Sequence, residues 1–138
     1  MNITIDSNIL FSAIIKDSLT RKLILEYDGL FLFPSYIFEE MEKHKELLLK
    51  KSGMNEKEFN ELMGLILKKV AIVQEEVLLK YRQEALEIIR GIDESDVVFI
   101  ACALAHDNSI LWSNEKRLKN QSRVKVMSTN EISKILST

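Results

Sequence analysis

Residues 3–15 read ITIDSNILFSAII, an apolar segment interrupted by Asp6 and Asn8. Its start predicts a short strand that ends at Asp6 and is buried by helices on both faces, as strands of parallel sheets are. Residues 8–15 predict a helix, with Asn8 as either its N-cap or a hydrogen-bond donor to Asp6. The segment therefore predicts a strand, an acidic residue and a helix in succession.

Short apolar strands and longer helices alternate along the rest of the chain. Such alternation predicts an α/β fold, a three-layer α/β/α arrangement around a central parallel sheet of about five strands. Ligands of such sheets bind beyond the carboxyl ends of the strands, where the strand order reverses. The strands are expected near residues 3–6, 30–33, 70–73, 109–112 and 124–127.

A helical hairpin is predicted between the second and third strands, and we expect it to project from the sheet. Its first helix is expected to have Ser35 as N-cap and to end at Gly53. Asn55 and Glu58 resemble a capping box for the second helix, residues 56–69. Other helices are expected at residues 19–26, 75–90, 97–106, 114–119 and 130–136.

Length and composition predict one domain over residues 1–138. Cys102 is the only cysteine, so it cannot form an internal disulfide, and a cytoplasmic location is expected. No segment is long and apolar enough to predict a membrane span. The net charge of −2 gives no support to strong non-specific binding of nucleic acid. The lack of a basic stripe with interleaved aromatics does not indicate sequence-specific RNA recognition.

Five carboxylates are predicted to approach the carboxyl edge of the sheet. Asp6 ends the first strand, Glu115 follows the fourth, and Asp93 and Asp96 begin a helix. Glu40 lies further into its helix but can tilt back toward the edge. Because clustered carboxylates repel each other, this arrangement calls for a divalent cation. We therefore predict a metal-dependent hydrolytic site.

Each acid also has an ordinary structural interpretation. As an alternative to a metal site, Asp93 and Asp96 would simply cap a helix, and Glu40 and Glu115 would simply belong to solvated helix surfaces. Ser113 and Asn114, on the same predicted edge, are either turn residues or hydrogen-bond partners for a phosphate or a metal-bound water. Three further residues are not expected to act in the site: Cys102, and His44 and His106, which are expected to have no helical partner acid and no Cys or His at ligand spacing.

The chain resembles the PIN-domain family of metal-dependent ribonucleases, which includes VapC-type toxins. The resemblance covers nearly the whole chain and rests on IDSNILFSAI (5–14), PSYIFEEMEKH (34–44), IDESDVVFIACALA (92–105) and ILWSNEKRL (110–118). The family's first three acids match Asp6, Glu40 and Asp96, and Asp93 matches a further acid. Glu115 stands where the family usually has Asp, which puts the number of metals held in doubt.

The resemblance implies phosphodiester hydrolysis of RNA with Mg²⁺ or Mn²⁺ as cofactor. Asp6 and Asp96 would hold the metal, with Glu40 and Asp93 as ligands or water-positioning groups. It also implies a possible antitoxin partner and a possible homodimer. Flanking cations that could meet RNA are Arg21, Lys22, Lys116, Arg117 and Lys119.

Two other functions stay open at this point. One is a non-catalytic PIN-like module that binds RNA or protein through an eroded site, which the Glu115 departure would support. The other is a phosphatase of the haloacid dehalogenase type with Asp6 as nucleophile. That chemistry needs a second Asp at position 8, where this chain has Asn8.

Overall fold

A five-stranded parallel sheet forms the centre of the molecule in the computed structural model, which describes residues 1–136. The strands are β1 (Asn2–Ile5), β2 (Phe31–Pro34), β3 (Val70–Val73), β4 (Ser109–Trp112) and β5 (Lys125–Met127). They follow the order β3-β2-β1-β4-β5. The order reverses between β1 and β4, which makes their carboxyl ends the switch point where ligands of such sheets bind.

The central strand β1 is held from both sides. Ile3 pairs with Phe31 of β2, and Ile5 pairs with Trp112 of β4. All four side chains are fully buried. Burial on both faces explains the uninterrupted apolar character of these strands, since strands of parallel sheets are covered by helices on either side.

Helices cover both faces of the sheet, so the predicted three-layer α/β/α fold is confirmed. The helices are α1 (Ser7–Ile15), α2 (Leu19–Glu26), α3 (Ile37–Ser52), α4 (Glu56–Leu67), α5 (Glu75–Leu79), α6 (Arg82–Ile89), α7 (Val97–Leu104) and α8 (Thr129–Leu136). On one side α1 contacts α2, α3 and α4, and α2 contacts α8. On the other side α7 packs against β1, β2 and β4 and contacts α5 and α6.

The helical hairpin α3–α4 exists, but it does not project. Its α4 packs against α1 and α2, and Leu48 and Phe59 join the core. Gly53 ends α3 with a φ of 72°, and Asn55 forms the predicted capping box. The expected Ser35 cap is wrong: Tyr36 occupies the N-cap position and makes no side-chain cap bond.

The single helix expected over residues 75–90 is two helices, α5 and α6. The apolar positions Leu78, Ala85 and Ile89 stay in phase across the break, so periodicity alone favours one helix. No Gly or Pro marks Lys80 or Tyr81. Both short helices contact α7, and we attribute the break to this tertiary packing.

Two more predicted helices differ in extent or type. The helix expected to reach residue 106 ends at Leu104, and in place of the helix expected over residues 114–119 the structure has the 3₁₀ helix Lys116–Asn120. Within residues 1–136, no helix is long and apolar enough to cross a membrane.

Candidate active site

Asp6 lies at the switch point, directly after β1. Its backbone N–H donates to the carbonyl of Trp112 (3.3 Å), and its Oδ1 accepts from the N–H of Ile9 (2.9 Å), so it caps α1. The residue is only 4% exposed. Burial raises the pKa of Asp6 above its ordinary value, although hydrogen bonds from Ser113 and the backbone N–H groups oppose the rise.

Ser113 links the loop after β4 to Asp6. It is almost fully buried, and its side chain hydrogen-bonds the Asp6 carboxylate. Its Oγ also accepts from the N–H of Glu115 (3.1 Å). The Glu115 carboxylate in turn accepts from the N–H of Arg117 (3.2 Å) and caps the following 3₁₀ helix. One serine therefore fixes two acids of the site relative to each other.

Asp93 is the N-cap of the 3₁₀ helix Glu94–Asp96, and Asp96 is the last residue of this helix, which leads into α7. Asp93 accepts bonds from the N–H (3.0 Å) and hydroxyl (2.6 Å) of Ser95, so its capping role is confirmed. These bonds, with a smaller effect of Arg117, lower the pKa of Asp93. This aspartate is thus held as a carboxylate.

The pKa of Asp96 is affected by several neighbouring carboxylates. Burial, followed by the charges of Asp93, Asp6 and Glu115, raises the pKa of Asp96 to about 6. Electrostatic effects of this kind require proximity, so these four acids from separate parts of the chain share one region of the edge. The structure therefore brings together the strand-end and helix-start acids that the sequence pattern singled out.

Arg117 lies among these acids. Its Nη2 is 3.4 Å from Asp93 Oδ2, and its Nε is 3.4 Å from Glu115 Oε1. The arginine is more than half exposed, so its contacts are weak and replaceable. It thus bridges two carboxylates while keeping a face toward solvent.

Tyr36 is a residue of this region that the sequence interpretation missed. Its side chain hydrogen-bonds Ser7, and its ring contacts Phe33 and Phe99. Burial raises the pKa of Tyr36 to about 12, with further contributions from three carboxylates. Those carboxylates are Glu40, Asp96 and Asp6. The hydroxyl therefore lies near the acids of both sheet edge and hairpin.

Glu40 has a partner of its own. Its Oε1 lies 3.5 Å from Nε2 of His44, one helical turn later, and the His44 ring packs against Phe11. The expectation that His44 lacks a partner acid was wrong, because His44 lies four residues after Glu40, a spacing at which side chains of a helix meet. The charge of Glu40 also contributes to the raised pKa of Tyr36.

A comparison with protein families found a match to the PIN domain over residues 4–137. The chain belongs to the PIN-domain family. PIN domains are generally nucleases, and they typically use divalent metal ions. A search of curated proteins and a search of solved structures each returned no match.

The donor chemistry of this PIN domain suits a hard cation such as Mg²⁺ or Mn²⁺, since the clustered groups are carboxylate oxygens. As they stand, however, no three Asp, Glu, His or Cys side chains within residues 1–136 form a group that could hold a metal ion. Asp6 and Asp96 remain the best-placed donors, because Asp6 is buried, Asp96 is partly buried, and the charge of Asp6 contributes to the raised pKa of Asp96.

Two predicted supporting residues of the PIN domain have other contacts. Asn8 is exposed within α1, and Asp6 rather than Asn8 is the N-cap; only the backbone N–H of Asn8 reaches Asp6. The side chain of Asn114 bonds the hydroxyl (3.0 Å) and N–H (2.8 Å) of Thr129, which ties the loop to α8. Asn114 therefore acts as an anchor for the loop.

Several candidates lie outside the acidic region or are already engaged. Arg21 donates to the carbonyls of Ala13 (2.7 Å) and Ile14 (3.0 Å), and Lys119 pairs with Glu131. Burial raises the pKa of Cys102 to about 11, which makes a thiolate nucleophile unfavourable, as expected. Arg117 is the predicted cation that contacts the acids.

Proposed function

We propose that this PIN domain is a metal-dependent endoribonuclease that hydrolyses RNA phosphodiester bonds with Mg²⁺ or Mn²⁺. The observation that carries the proposal is the linkage of acids at the switch point: Ser113 contacts Asp6 and the N–H of Glu115, and Arg117 lies between Glu115 and Asp93. The raised pKa of Asp96 agrees with this grouping. Such an arrangement costs folding free energy, and a bound cation offsets that cost.

The roles follow from the contacts of each side chain. Asp6 and Asp96 would hold the cation, with Asp93, Glu115 and Glu40 as further oxygen donors. When bound, the cation neutralises phosphate charge and lowers the pKa of water at the site. Ser113 orients the Asp6 carboxylate through its hydrogen bond.

Arg117 would meet the RNA phosphate. An acidic site repels a polyanion, and the guanidinium that already bridges Asp93 and Glu115 is positioned to contact phosphate oxygens through its exposed face. Because its present ion pairs are exposed, releasing them costs little.

A cleavage assay tests the proposal. Wild-type protein should cut single-stranded RNA with Mn²⁺ and stop when EDTA is added. Asp6→Asn should lose this activity and still fold, as judged by circular dichroism. Asp107→Asn, an exposed residue before β4 at the opposite edge, is the matched control and should keep the wild-type rate. An Asp6→Asn protein that cuts RNA normally would refute the mechanism.

One observation favours a second candidate, the non-catalytic module. Arg117 already compensates part of the charge of Asp93 and Glu115, as it would in a site that no longer holds metal. Mn²⁺ titration separates the two functions: a nuclease binds Mn²⁺ through its acids, whereas an eroded site does not. The phosphatase alternative would be detected by trapping a phosphoenzyme on Asp6.

A narrower proposal is that the nuclease is a toxin, held by an antitoxin in the cytoplasm and acting as a homodimer. Only the family resemblance supports these points. Expression of the wild type should arrest growth, and expression of Asp6→Asn should not. A partner that co-purifies and abolishes cleavage would identify the antitoxin.

A further inference from the structure

A second concave feature lies beside the acids, on the α5–α7 side of the sheet. It is a cleft of about 280 Å³ between the start of α3 and helices α5, α6 and α7. Leu78, Val98 and Ala101 contribute its apolar lining. The lining also includes three charged side chains: Glu39, Glu75 and Arg82.

The cleft adjoins the proposed catalytic region through two residues. Tyr36 lines the cleft, and its side chain hydrogen-bonds Ser7, the residue directly after Asp6. Val97 lines it as well and directly follows Asp96 in the chain. A substrate with its phosphate at the acids would therefore have a neighbouring group at the mouth of the cleft.

The charged lining residues are available to a ligand. Glu39, Glu75 and Arg82 are exposed, and within the described part of the chain none of them forms an ion pair or side-chain hydrogen bond. Two carboxylates disfavour a phosphate as occupant. They favour an uncharged group with N–H donors, while the guanidinium favours acceptors on the same group.

The volume of the cleft further limits which chemical groups can bind in it. Its volume lies just below the lower end of the range for small-molecule sites, about 300 Å³. One nucleobase is a flat group of suitable size, and unpaired RNA bases are typically recognised in pockets through their edges and faces. Guanine offers N1–H and N2–H donors that a carboxylate accepts, and O6 and N7 acceptors that arginine contacts.

We propose that this cleft binds a guanine base next to the scissile phosphate and gives the nuclease a sequence preference. Arg82 contacts O6 and N7, and Glu75 or Glu39 accepts from N1–H and N2–H. The proposal rests on the proposed RNA cleavage. It also departs from the sequence-based expectation, because the recognising residues come from three helices and form no motif along the chain.

Cleavage of a randomised single-stranded RNA library, with the ends mapped, tests this inference. The wild type should show guanine enriched at one fixed position beside the cut. Arg82→Ala and Glu75→Gln should reduce that preference roughly tenfold. The matched controls, Arg90→Ala and Glu76→Gln, are exposed residues of the same helical region outside the cleft and should keep the preference.

A separate measurement distinguishes failure of the cleft from failure of the nuclease. Guanosine, which has no phosphate, should shift the methyl NMR signals of Leu78 and Val98, and adenosine should do so less. Arg82→Ala should abolish the shifts. Shifts without RNA cleavage would uphold the cleft and refute the nuclease. Cleavage without a guanine preference, or no guanosine-induced shifts, would refute the guanine site.

Discussion

The guanidinium of Arg117 lies 3.4 Å from Asp93 and 3.4 Å from Glu115, so a cation of the chain itself already bridges two carboxylates of the proposed metal site. The pairs belong to an arginine that is more than half exposed, which makes them weak and open to exchange. An incoming metal ion and Arg117 therefore compete for these acids.

Removing this competitor should strengthen metal binding. Arg117→Ala is predicted to lower the Kd for Mn²⁺ by a few fold, since exposed ion pairs contribute about 1 kcal/mol or less. The same variant should bind single-stranded RNA more weakly, because it loses a phosphate contact. Calorimetric titration with Mn²⁺ measures the first effect.

Arg123→Ala is the control for this prediction. Arg123 is similarly exposed and pairs with Glu84 at 2.5 Å, away from the acids. It should leave Mn²⁺ affinity unchanged. Weaker Mn²⁺ binding by Arg117→Ala would contradict the competition between arginine and metal.

The raised pKa of Asp96 predicts a pH dependence of stability without metal. Since the folded pKa of about 6 exceeds the ordinary 3.8, its contribution is complete below pH 3.8 and lost as pH rises through 6. In EDTA, Asp96→Asn should remove this loss and gain roughly 1 kcal/mol over wild type at pH 7, after allowance for solvent screening. Thermal unfolding between pH 4 and 7 measures it.

Asp93 gives the opposite sign and serves as the comparison. Its lowered pKa means that its contribution is present above pH 3.8 and lost as pH falls through the folded pKa. Asp93→Asn should therefore be less stable than wild type at pH 7. If Asp96→Asn is also destabilised at pH 7 in EDTA, the acids do not repel one another as described.

Ser113 and Asn114 are adjacent in sequence, but replacing each with alanine should have a different effect. Ser113→Ala removes the side-chain bond to Asp6 and the acceptor of the Glu115 N–H, so Mn²⁺ affinity should fall about 10- to 100-fold. Asn114→Ala breaks the bonds to Thr129 and should lower the melting temperature with little effect on Mn²⁺ affinity. Equal Mn²⁺ affinities in both variants would argue against an orienting role for Ser113.

Local signals predicted the parts of the fold and site that depend on neighbours in sequence. The Asn55–Glu58 capping box, the Gly53 stop and the position of Asp6 at the end of β1 are such features. Parallel-sheet geometry then placed the strand-end and helix-start acids at one edge, since carboxyl ends of parallel strands lie together.

Features set by tertiary contacts were missed. The break between α5 and α6 has no local marker, and Tyr36 reaches the acids only because Phe33 and Phe99 hold its ring. The cleft lined by Arg82 and Glu75 is assembled from separate helices, which no spacing along the chain predicts. By contrast, the i,i+4 spacing of Glu40 and His44 is a local signal that does predict their contact.

The central claim is that Asp6 and Asp96 act as one unit in RNA cleavage, and a double-mutant comparison tests it most directly. With Mn²⁺ and single-stranded RNA, Asp6→Asn and Asp96→Asn should each lower the single-turnover rate by roughly 10³-fold or more. The double variant should be no slower than either single variant, because either substitution alone already removes the function of the shared site. Wild-type rates in either single variant, or losses that multiply in the double variant, would contradict the account.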